Sequence, residues 1–214
     1  MVVGDLSGKG LSAASEVATV RNMTRYALYS EPGLSSAVNG LNRILVDRGV
    51  LTGFATLFIG VYDDVRRTLT YVNCGQEPAL VWRCVDGDMV QLPPTGGVLG
   101  GFSDESYGEQ AVDLAIGDVI AVFTDGLTEV GPHRSKHLQI DGLMALFAQC
   151  CTAVLSGRDS SSLVEPATAV VAHVIAGVEA HAGESARIQD DIALLVGVVV
   201  AGPQDDAPED GAGK

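Results

Sequence analysis

Basic residues are scarce in this sequence of 214 residues, which has 13 lysines and arginines against 27 aspartates and glutamates and a formal net charge of −14. A surface this acidic repels the phosphates of nucleic acids and of anionic membranes. We therefore expect no nucleic-acid partner and no membrane partner.

Cysteines and long apolar runs are also few. The four cysteines form no C-x-x-C pair, which argues against a zinc site or a disulfide framework and is typical of a reducing compartment. The longest apolar run, residues 192–202, is far shorter than the ~20 residues that a membrane helix needs. We expect no signal peptide, because Gly4, Asp5 and Gly8 interrupt the first ten residues. These features predict a soluble, cytoplasmic protein.

Four stretches of the sequence carry the apolar periodicity of helices. Apolar side chains recur about every 3.6 residues, which predicts four helices with one buried face each, over residues 12–29, 34–48, 140–155 and 163–179. The serines at 160–162 and Pro166 are start signals for the last of them.

Strand patterns fill the middle of the chain and close it. Runs rich in β-branched residues from 54 to 92 are separated by D-D-V-R-R, G-Q-E-P and V-D-G-D, which predicts an antiparallel meander with hairpin turns. Two more strands flank the Gly-Asp pair at 117–118, and residues 190–200 predict a buried closing strand. Helix pairs around mostly antiparallel sheets predict an α+β layered sandwich.

The segment G-D-L-S-G-K-G-L-S-A-A at residues 4–14 has two interpretations. As a nucleotide-phosphate loop it is one residue short between Gly4 and Gly8, and Gly10 stands where a serine or threonine should reach the metal ion. As a glycine-rich turn from strand to helix, it presents Asp5 instead. The segment alone leaves both interpretations open.

Three aspartates lie at predicted strand ends: Asp5, Asp125 and Asp190. A glycine beside each of the first two lets a ligand or a metal-bound water come close. Carboxylates that converge without a cationic partner repel one another unless a metal neutralises them, and oxygen ligands suit magnesium or manganese. Aspartates are also common turn residues, so the spacing alone leaves that role open.

Five segments in order carry a resemblance to a known family: G-D-L-S-G-K-G-L-S-A-A, F-A-T-L-F-I-G-V-Y-D, L-T-Y-V-N-C-G-Q-E-P-A-L-V-W-R, G-D-V-I-A-V-F-T-D-G-L-T-E-V and D-D-I-A-L-L-V. Their order and spacing resemble the bacterial SpoIIE/RsbU-type serine phosphatases of the metal-dependent PPM (type 2C-like) superfamily, from residue 3 to about 200. The resemblance implies an α-β-β-α sandwich with mostly antiparallel sheets. We expect a phosphatase domain over residues 1–200 and an acidic, disordered tail over 201–214.

The resemblance also implies a centre of two magnesium or manganese ions. By position, Asp5 resembles the carboxylate that bridges both ions, and the Leu6 carbonyl resembles a further ligand. Asp125 and Asp190 resemble ligands of one ion, and Asp191 resembles the residue that supports Asp190, with a direct metal contact as its lesser role. Asp5, Asp125 and Asp190 are therefore the catalytic candidates, around a metal-activated water that makes a cysteine nucleophile unnecessary.

The family's activity implies a protein phosphatase that hydrolyses phosphoserine and phosphothreonine. The implied substrate is a phosphorylated anti-anti-sigma (STAS) protein, in a partner-switching pathway that regulates a sigma factor. An upstream sensor domain and an anti-sigma kinase are further expected partners.

The sequence departs from the family pattern in two places, and the first of them, the missing N-terminal segment, favours a rival hypothesis. Family members carry a strand and a G-G-D-x-[YF]-D-like segment before the block that begins here at Val3, so we expect an N-terminally truncated domain with an exposed sheet edge or an open core. Gln76 replaces a common histidine, and we interpret it as a polar turn residue. The rival is a catalytically inactive module of the same fold that binds the phosphoprotein or its kinase.

Overall fold

The computed structural model describes residues 1–8, 10–133, 136–155, 164–183 and 191–201. Within these residues, pairs of helices are separated along the chain by runs of strands. In chain order the elements are β1 (Val2–Leu6), α1 (Leu11–Ser30), α2 (Leu34–Asp47), β2 (Ala55–Asp63), β3 (Thr68–Cys74), β4 (Ala79–Trp82), β5 (Met89–Leu92), β6 (Gln110–Asp113), β7 (Val119–Phe123), a 3-10 turn (Asp125–Leu127), α3 (Gln139–Leu155), α4 (Val164–Ala182) and β8 (Leu194–Val198).

The described strands form two four-stranded antiparallel sheets. Sheet A has the order β1-β2-β3-β6, and sheet B has the order β5-β4-β7-β8. The prediction of one meander is therefore wrong in one respect: β2–β3 and β4–β5 are hairpins, but G-Q-E-P carries the chain from sheet A to sheet B. Gly75, with φ of 63°, makes the bend at the end of β3.

Three apolar layers hold the sandwich together, and they confirm the predicted α-β-β-α arrangement. The layer between the sheets includes Phe58, Tyr71, Val81 and Val122. The layer between sheet A and helices α1 and α2 includes Val20, Leu41, Leu45, Ile59 and Val72. The layer between sheet B and helices α3 and α4 includes Leu80, Phe123, Phe147, Val170 and Val174.

The helix predictions agree with the structure to within three residues at every described end. The largest difference is α4, which continues to Ala182 because Val178 and Ala182, one turn apart, are both buried. The closing strand is shorter than predicted and begins at Leu194. None of the described helices combines the length and the apolar character that are needed to cross a bilayer.

Among the described strands, β1 is the outermost of sheet A and pairs only with β2. Beside it lies a cavity of about 420 Å³ between β1, β2 and α1, with mostly apolar lining that includes Val2, Leu6, Val17, Val20, Leu28 and Leu57.

Candidate active site

The ends of several strands meet at one end of the sandwich. Leu6, at the end of β1, pairs with Ala55 at the start of β2. Because β2 and β3 are antiparallel, the end of β3 lies beside the start of β2. Just beyond β3, the Gln76 side chain donates a hydrogen bond of 2.7 Å from Nε2 to the carbonyl oxygen of Phe123, the last residue of β7. We call this end of the sandwich the carboxylate end.

Three of the aspartates singled out from the sequence lie at the carboxylate end. Asp5 is exposed near the end of β1, on the same strand face as Val3, which packs between the sheets. Asp125 is half-buried and follows β7 in the 3-10 turn. Asp191 is exposed and lies just before β8. Asp190 lies outside the described residues.

Thr124 fixes the segment that carries Asp191. Its hydroxyl donates to the carbonyl oxygen of Asp191 at 3.1 Å and accepts from the Ala193 N–H at 2.9 Å. Its own N–H donates to the Ala193 carbonyl oxygen at 3.1 Å. The residues after β7 and the residues before β8 are therefore held together by three hydrogen bonds.

Gly126 has a different role from the one that the sequence suggests. A Cβ at this position would lie 2.5 Å from the carbonyl oxygen of Asp191, closer than van der Waals contact allows. The glycine therefore makes room for the Asp191 backbone, whereas the sequence analysis assigned the space to a ligand. Only glycine permits this approach of the two segments.

The turn after β7 fixes the backbone of Asp125. The Asp125 carbonyl oxygen accepts hydrogen bonds from the N–H groups of Thr128 at 2.9 Å and Glu129 at 2.8 Å. The Thr128 hydroxyl lies 3.0 Å from the same oxygen. These hydrogen bonds fix the backbone from which the Asp125 side chain extends.

Glu77 is a carboxylate at this end that the sequence analysis missed. Its Oε1 lies 3.3 Å from the Thr128 hydroxyl. Burial is the main cause that raises the pKa of Glu77, and the negative charges of Asp125 and Glu129 raise it further, against the lowering effect of the Thr128 hydrogen bond. The rule that singled out the aspartates, an acidic side chain just beyond a strand, also selects Glu77.

Gln76 is more than the polar turn residue that we expected. It is 4% exposed, and its N–H donates to the Asn73 side-chain oxygen at 2.9 Å. With its bond to Phe123, Gln76 joins the end of sheet A to the end of sheet B. Its Oε1 is buried and has no hydrogen-bond partner among the described residues.

Other residues singled out in the sequence lie apart from this chemistry. Cys74 is buried, and burial, with a smaller contribution from the charge of Glu105, raises its pKa to about 12, which disfavours the nucleophilic thiolate. His133 is exposed and His137 is half-buried. Lys9, which the phosphate-loop interpretation requires, lies outside the described residues.

The donor chemistry at the carboxylate end fits a hard divalent cation, because the side chains gathered there offer carboxylate oxygens. The negative charges of two of them, Asp125 and Glu129, contribute to the raised pKa of Glu77. The described ranges contain no group of three His, Cys, Asp or Glu residues close enough to hold one metal ion. The donors fit in kind, and Asp190, one of the expected ligands, lies outside the described residues.

A family model gives the chain its place among known proteins. The model for stage II sporulation protein E (SpoIIE) matches residues 1–199. The chain belongs to the SpoIIE family. The resemblance found in the sequence motifs is thereby confirmed.

This SpoIIE-family chain is similar to the phosphoserine phosphatase RsbU of Bacillus subtilis. The two are 32% identical over 133 residues, which cover 60% of this chain and 38% of RsbU. The chain thus spans well under half the length of this relative.

Two solved structures resemble the SpoIIE-family chain over most of its length. The RsbU and RsbW domains of Rv1364c from Mycobacterium tuberculosis match with a TM-score of 0.73 and 23% identity, over 91% of this chain and 51% of that one. The SiaA-PP2C domain of Pseudomonas aeruginosa matches with a TM-score of 0.72 and 17% identity, over 92% and 74% of the two chains. At these identities the likeness shows the fold, which is that of PPM phosphatases.

Proposed function

We propose that this chain is a metal-dependent protein phosphatase that hydrolyses phosphoserine and phosphothreonine. The observation that carries the proposal is the position of Asp5 at the end of β1, Asp125 just after β7 and Asp191 just before β8, all at one end of the sandwich. Carboxylates from both sheets are the donors that a phosphatase with two hard metal ions requires.

Metal dependence is general in the SpoIIE family. Asp5, the Leu6 carbonyl, Asp125 and Asp190 would hold the two magnesium or manganese ions, with Asp5 as the shared ligand and Asp191 supporting Asp190. When bound, such a pair supplies a hydroxide nucleophile near neutral pH and neutralises phosphate charge. The protein's own part is positioning: Thr124 and Gly126 hold the Asp191 segment, and the 3-10 turn holds Asp125.

The substrate that we propose is a phosphorylated anti-anti-sigma (STAS) protein, with release of a sigma factor as the downstream effect. Similarity to a phosphoserine phosphatase, RsbU, supports this assignment. An upstream sensor domain and an anti-sigma kinase are proposed partners. Residues 1–200 are proposed as the phosphatase domain, and residues 201–214 as an acidic tail.

A second candidate function is a catalytically inactive module of the same fold. The observation that favours it is the lack of a three-ligand metal group within the described ranges. Such a module would bind the phosphoprotein or its kinase and release no phosphate. The two candidates differ in turnover, which makes them separable by one assay.

The deciding experiment is manganese-dependent release of p-nitrophenolate from p-nitrophenyl phosphate, with EDTA and Asp125→Asn as controls. We expect activity that EDTA abolishes and that Asp125→Asn lowers by roughly 100-fold or more, since losing only a residue that supports a metal ligand already costs ~10–100-fold. Full activity in Asp125→Asn would contradict the site. No activity in the folded wild-type chain, together with binding of the phosphoprotein, would favour the inactive module.

A further inference from the structure

Three apolar side chains form a patch on the surface beside the carboxylate end. Phe54 is 43% exposed and Phe102 is 61% exposed, and Val98 between them is half-buried. We call these three residues the apolar rim. Exposed aromatic side chains grouped beside a candidate active site are more informative than single exposed ones, because grouped apolar surface marks binding sites.

The members of the apolar rim are neighbours in space although they come from two segments. A Cβ placed on Gly101, which precedes Phe102, would lie 4.0 Å from the Phe54 Cβ and 2.9 Å from Val98 Cγ2. The segment that carries Phe102 therefore lies directly against Phe54 and Val98. The two segments of the apolar rim are therefore neighbours on the surface.

The backbone under Phe54 is held firmly. The Ser7 hydroxyl accepts from the Phe54 N–H at 2.7 Å, and the Phe54 carbonyl oxygen accepts from the Ser7 N–H and hydroxyl, each at 2.9 Å. Thr52, two residues before Phe54, is held as well. Its N–H donates to the buried carboxylate of Glu16 at 3.3 Å, and its hydroxyl donates to the same carboxylate at 3.0 Å. Phe54 is thus displayed on a fixed support.

The segment that carries Phe102 is held in the same way by α2. The Asn42 side chain donates to the Phe102 carbonyl oxygen at 2.9 Å and accepts from the Gly100 N–H at 2.7 Å. Leu99 and Ala55 exchange two backbone hydrogen bonds, of 2.7 and 2.9 Å. A surface held this rigidly loses little conformational entropy when it binds a partner.

The apolar rim borders the carboxylate end on two sides. On one side, Ser7, which holds Phe54, is two residues beyond Asp5. On the other side, Val98 Cγ1 would lie 3.1 Å from a Cβ on Gly75, two residues before Glu77. A phosphorylated side chain that enters the carboxylate end therefore brings its flanking residues over the rim.

The charges around the rim indicate what those flanking residues carry. Asp104, two residues beyond Phe102, is exposed, and the carboxylate end itself is acidic. An apolar side chain fits the rim, and a basic side chain complements the acidic residues beside it. A phosphate group is similar in every phosphomonoester, so discrimination between substrates must come from such flanking contacts.

We propose that the apolar rim binds an apolar side chain close to the phosphoserine of the substrate protein, and that a neighbouring basic residue of the substrate pairs with the acidic surroundings. This inference rests on the proposed phosphatase function. It makes Phe54 and Phe102 residues that determine specificity, whereas the carboxylates carry out the reaction. Burying a large part of one aromatic ring corresponds to a preference of about tenfold.

The test compares two synthetic phosphoserine peptides with p-nitrophenyl phosphate as the reference substrate. One peptide carries leucines and a lysine within three residues of the phosphoserine, and the other carries serines at those positions. We expect the wild type to prefer the first peptide by about tenfold in kcat/KM. Phe102→Ser and, separately, Phe54→Ser should remove this preference, measured as the ratio of the two peptides and normalised to the aryl phosphate.

A matched control is Val85→Ser, because Val85 is 87% exposed on the β4–β5 turn of sheet B and should leave the preference unchanged. Equal turnover of the two peptides by the wild type, or a preference that survives both phenylalanine substitutions, would overturn the inference. If the wild type hydrolyses no substrate, the proposed function fails. Fluorescence anisotropy of the two labelled peptides then tests the rim by binding alone. We expect the wild type to bind the peptide with leucines and lysine more tightly, and Phe102→Ser to lose this preference. Equal binding of the two peptides by the wild type, or a preference that survives the phenylalanine substitutions, would overturn the inference.

Discussion

Helix α1 is packed less completely than the two helices on sheet B. On sheet B, α3 and α4 each bury an apolar stripe, formed by Leu143, Phe147, Cys150, Cys151 and Val154 and by Val170, Val174, Val178 and Ala182. On sheet A, Val20 is the one fully buried apolar side chain among the described side chains of α1, and Val17, Tyr26 and Tyr29 are exposed. Helix α1 therefore buries fewer apolar side chains than α3 or α4, and also fewer than α2 beside it, which buries Leu34, Ala37, Val38, Leu41 and Leu45.

Among the described residues, α1 borders two open clefts. A cavity of about 420 Å³ lies between α1 and the edge of sheet A, and another of about 360 Å³ lies between α1 and α2. Empty apolar space forfeits dispersion contacts and lowers local stability. We infer that α1 opens more easily than α3 on sheet B.

The difference matters for the candidate site because its carboxylates come from both halves. Asp5 lies on β1, the edge strand next to α1, while Asp125 and Asp191 lie on the better-packed side. Segments with few buried apolar contacts open at the lowest free-energy cost. The Asp5 half of the site is thus the half whose position depends on a loosely packed helix.

The largest effect should come from the tightly packed layer. Phe147→Ala removes a fully buried ring from α3 and should lower the free energy of unfolding by about 3–5 kcal/mol. Urea unfolding followed by circular dichroism measures it. Tyr29→Ala, at a position that is 93% exposed on α1, is the matched control and should change the free energy by less than about 0.5 kcal/mol. Similar losses in both variants would contradict the full burial of Phe147 against sheet B.

A second substitution tests the sheet-B half of the site. Gly126→Ala pushes a methyl group against the Asp191 carbonyl oxygen, so we expect p-nitrophenyl phosphate turnover to fall by roughly 10–100-fold. The added strain should also cost about 1–3 kcal/mol of stability. Gly40→Ala is the control. Gly40 lies in α2, and a Cβ at this position would meet nothing within 4 Å. Alanine is also favoured over glycine in a helix by about 1 kcal/mol. Unchanged turnover in Gly126→Ala would show that the Asp191 segment needs no such support.

The sequence predicts the layers of this fold well because each depends on local periodicity. The helix stripes around Leu41 in α2 and Phe147 in α3 have the 3.6-residue spacing that a single buried face imposes. The division of the meander between two sheets was not predicted. Strands β3 and β4 are both mostly buried. The strands that they pair with, β6 and β7, are distant in the chain. Pairing between distant segments leaves no local trace in a sequence.

The candidate site likewise contains some residues that the sequence predicts and others that it does not. Asp5 and Asp125 were found because a carboxylate beside a glycine at a strand end is visible in the sequence. Gln76 was misjudged because its burial depends on the carbonyl group of Phe123 in the other sheet. The role of Gly126 was also missed, since the group that it accommodates, the Asp191 carbonyl, comes from 65 residues further along the chain. Contacts that exist only after both sheets have assembled cannot be inferred from one segment.

Amide hydrogen exchange measures the contrast between the layers without any mutation. We expect the amides in the middle of α1 to exchange at least about tenfold faster than those in the middle of α3, which corresponds to ~1.4 kcal/mol less opening free energy. Mass spectrometry of peptic fragments resolves the two helices. Equal protection of α1 and α3 would mean that the cavities beside α1 carry no energetic cost.

The smallest predicted effect is a gain in stability within the loosely packed layer. Thr24 of α1 lines the cavity beside β1, and its hydroxyl is buried with no hydrogen-bond partner among the described residues. Thr24→Val replaces the hydroxyl by a methyl group of similar shape, so we expect the free energy of unfolding to rise by about 1 kcal/mol.

The matched control is Thr19→Val, because the Thr19 hydroxyl is exposed and donates to the Ser15 carbonyl oxygen at 3.0 Å, so its loss should change stability by less than about 0.5 kcal/mol. Urea unfolding of both variants gives the comparison. A loss of stability in Thr24→Val would mean that the hydroxyl makes a favourable interaction in solution. If Thr24→Val raises the free energy of unfolding and also slows amide exchange in α1, the difference in exchange between α1 and α3 becomes smaller. Part of that difference is then caused by one buried hydroxyl group.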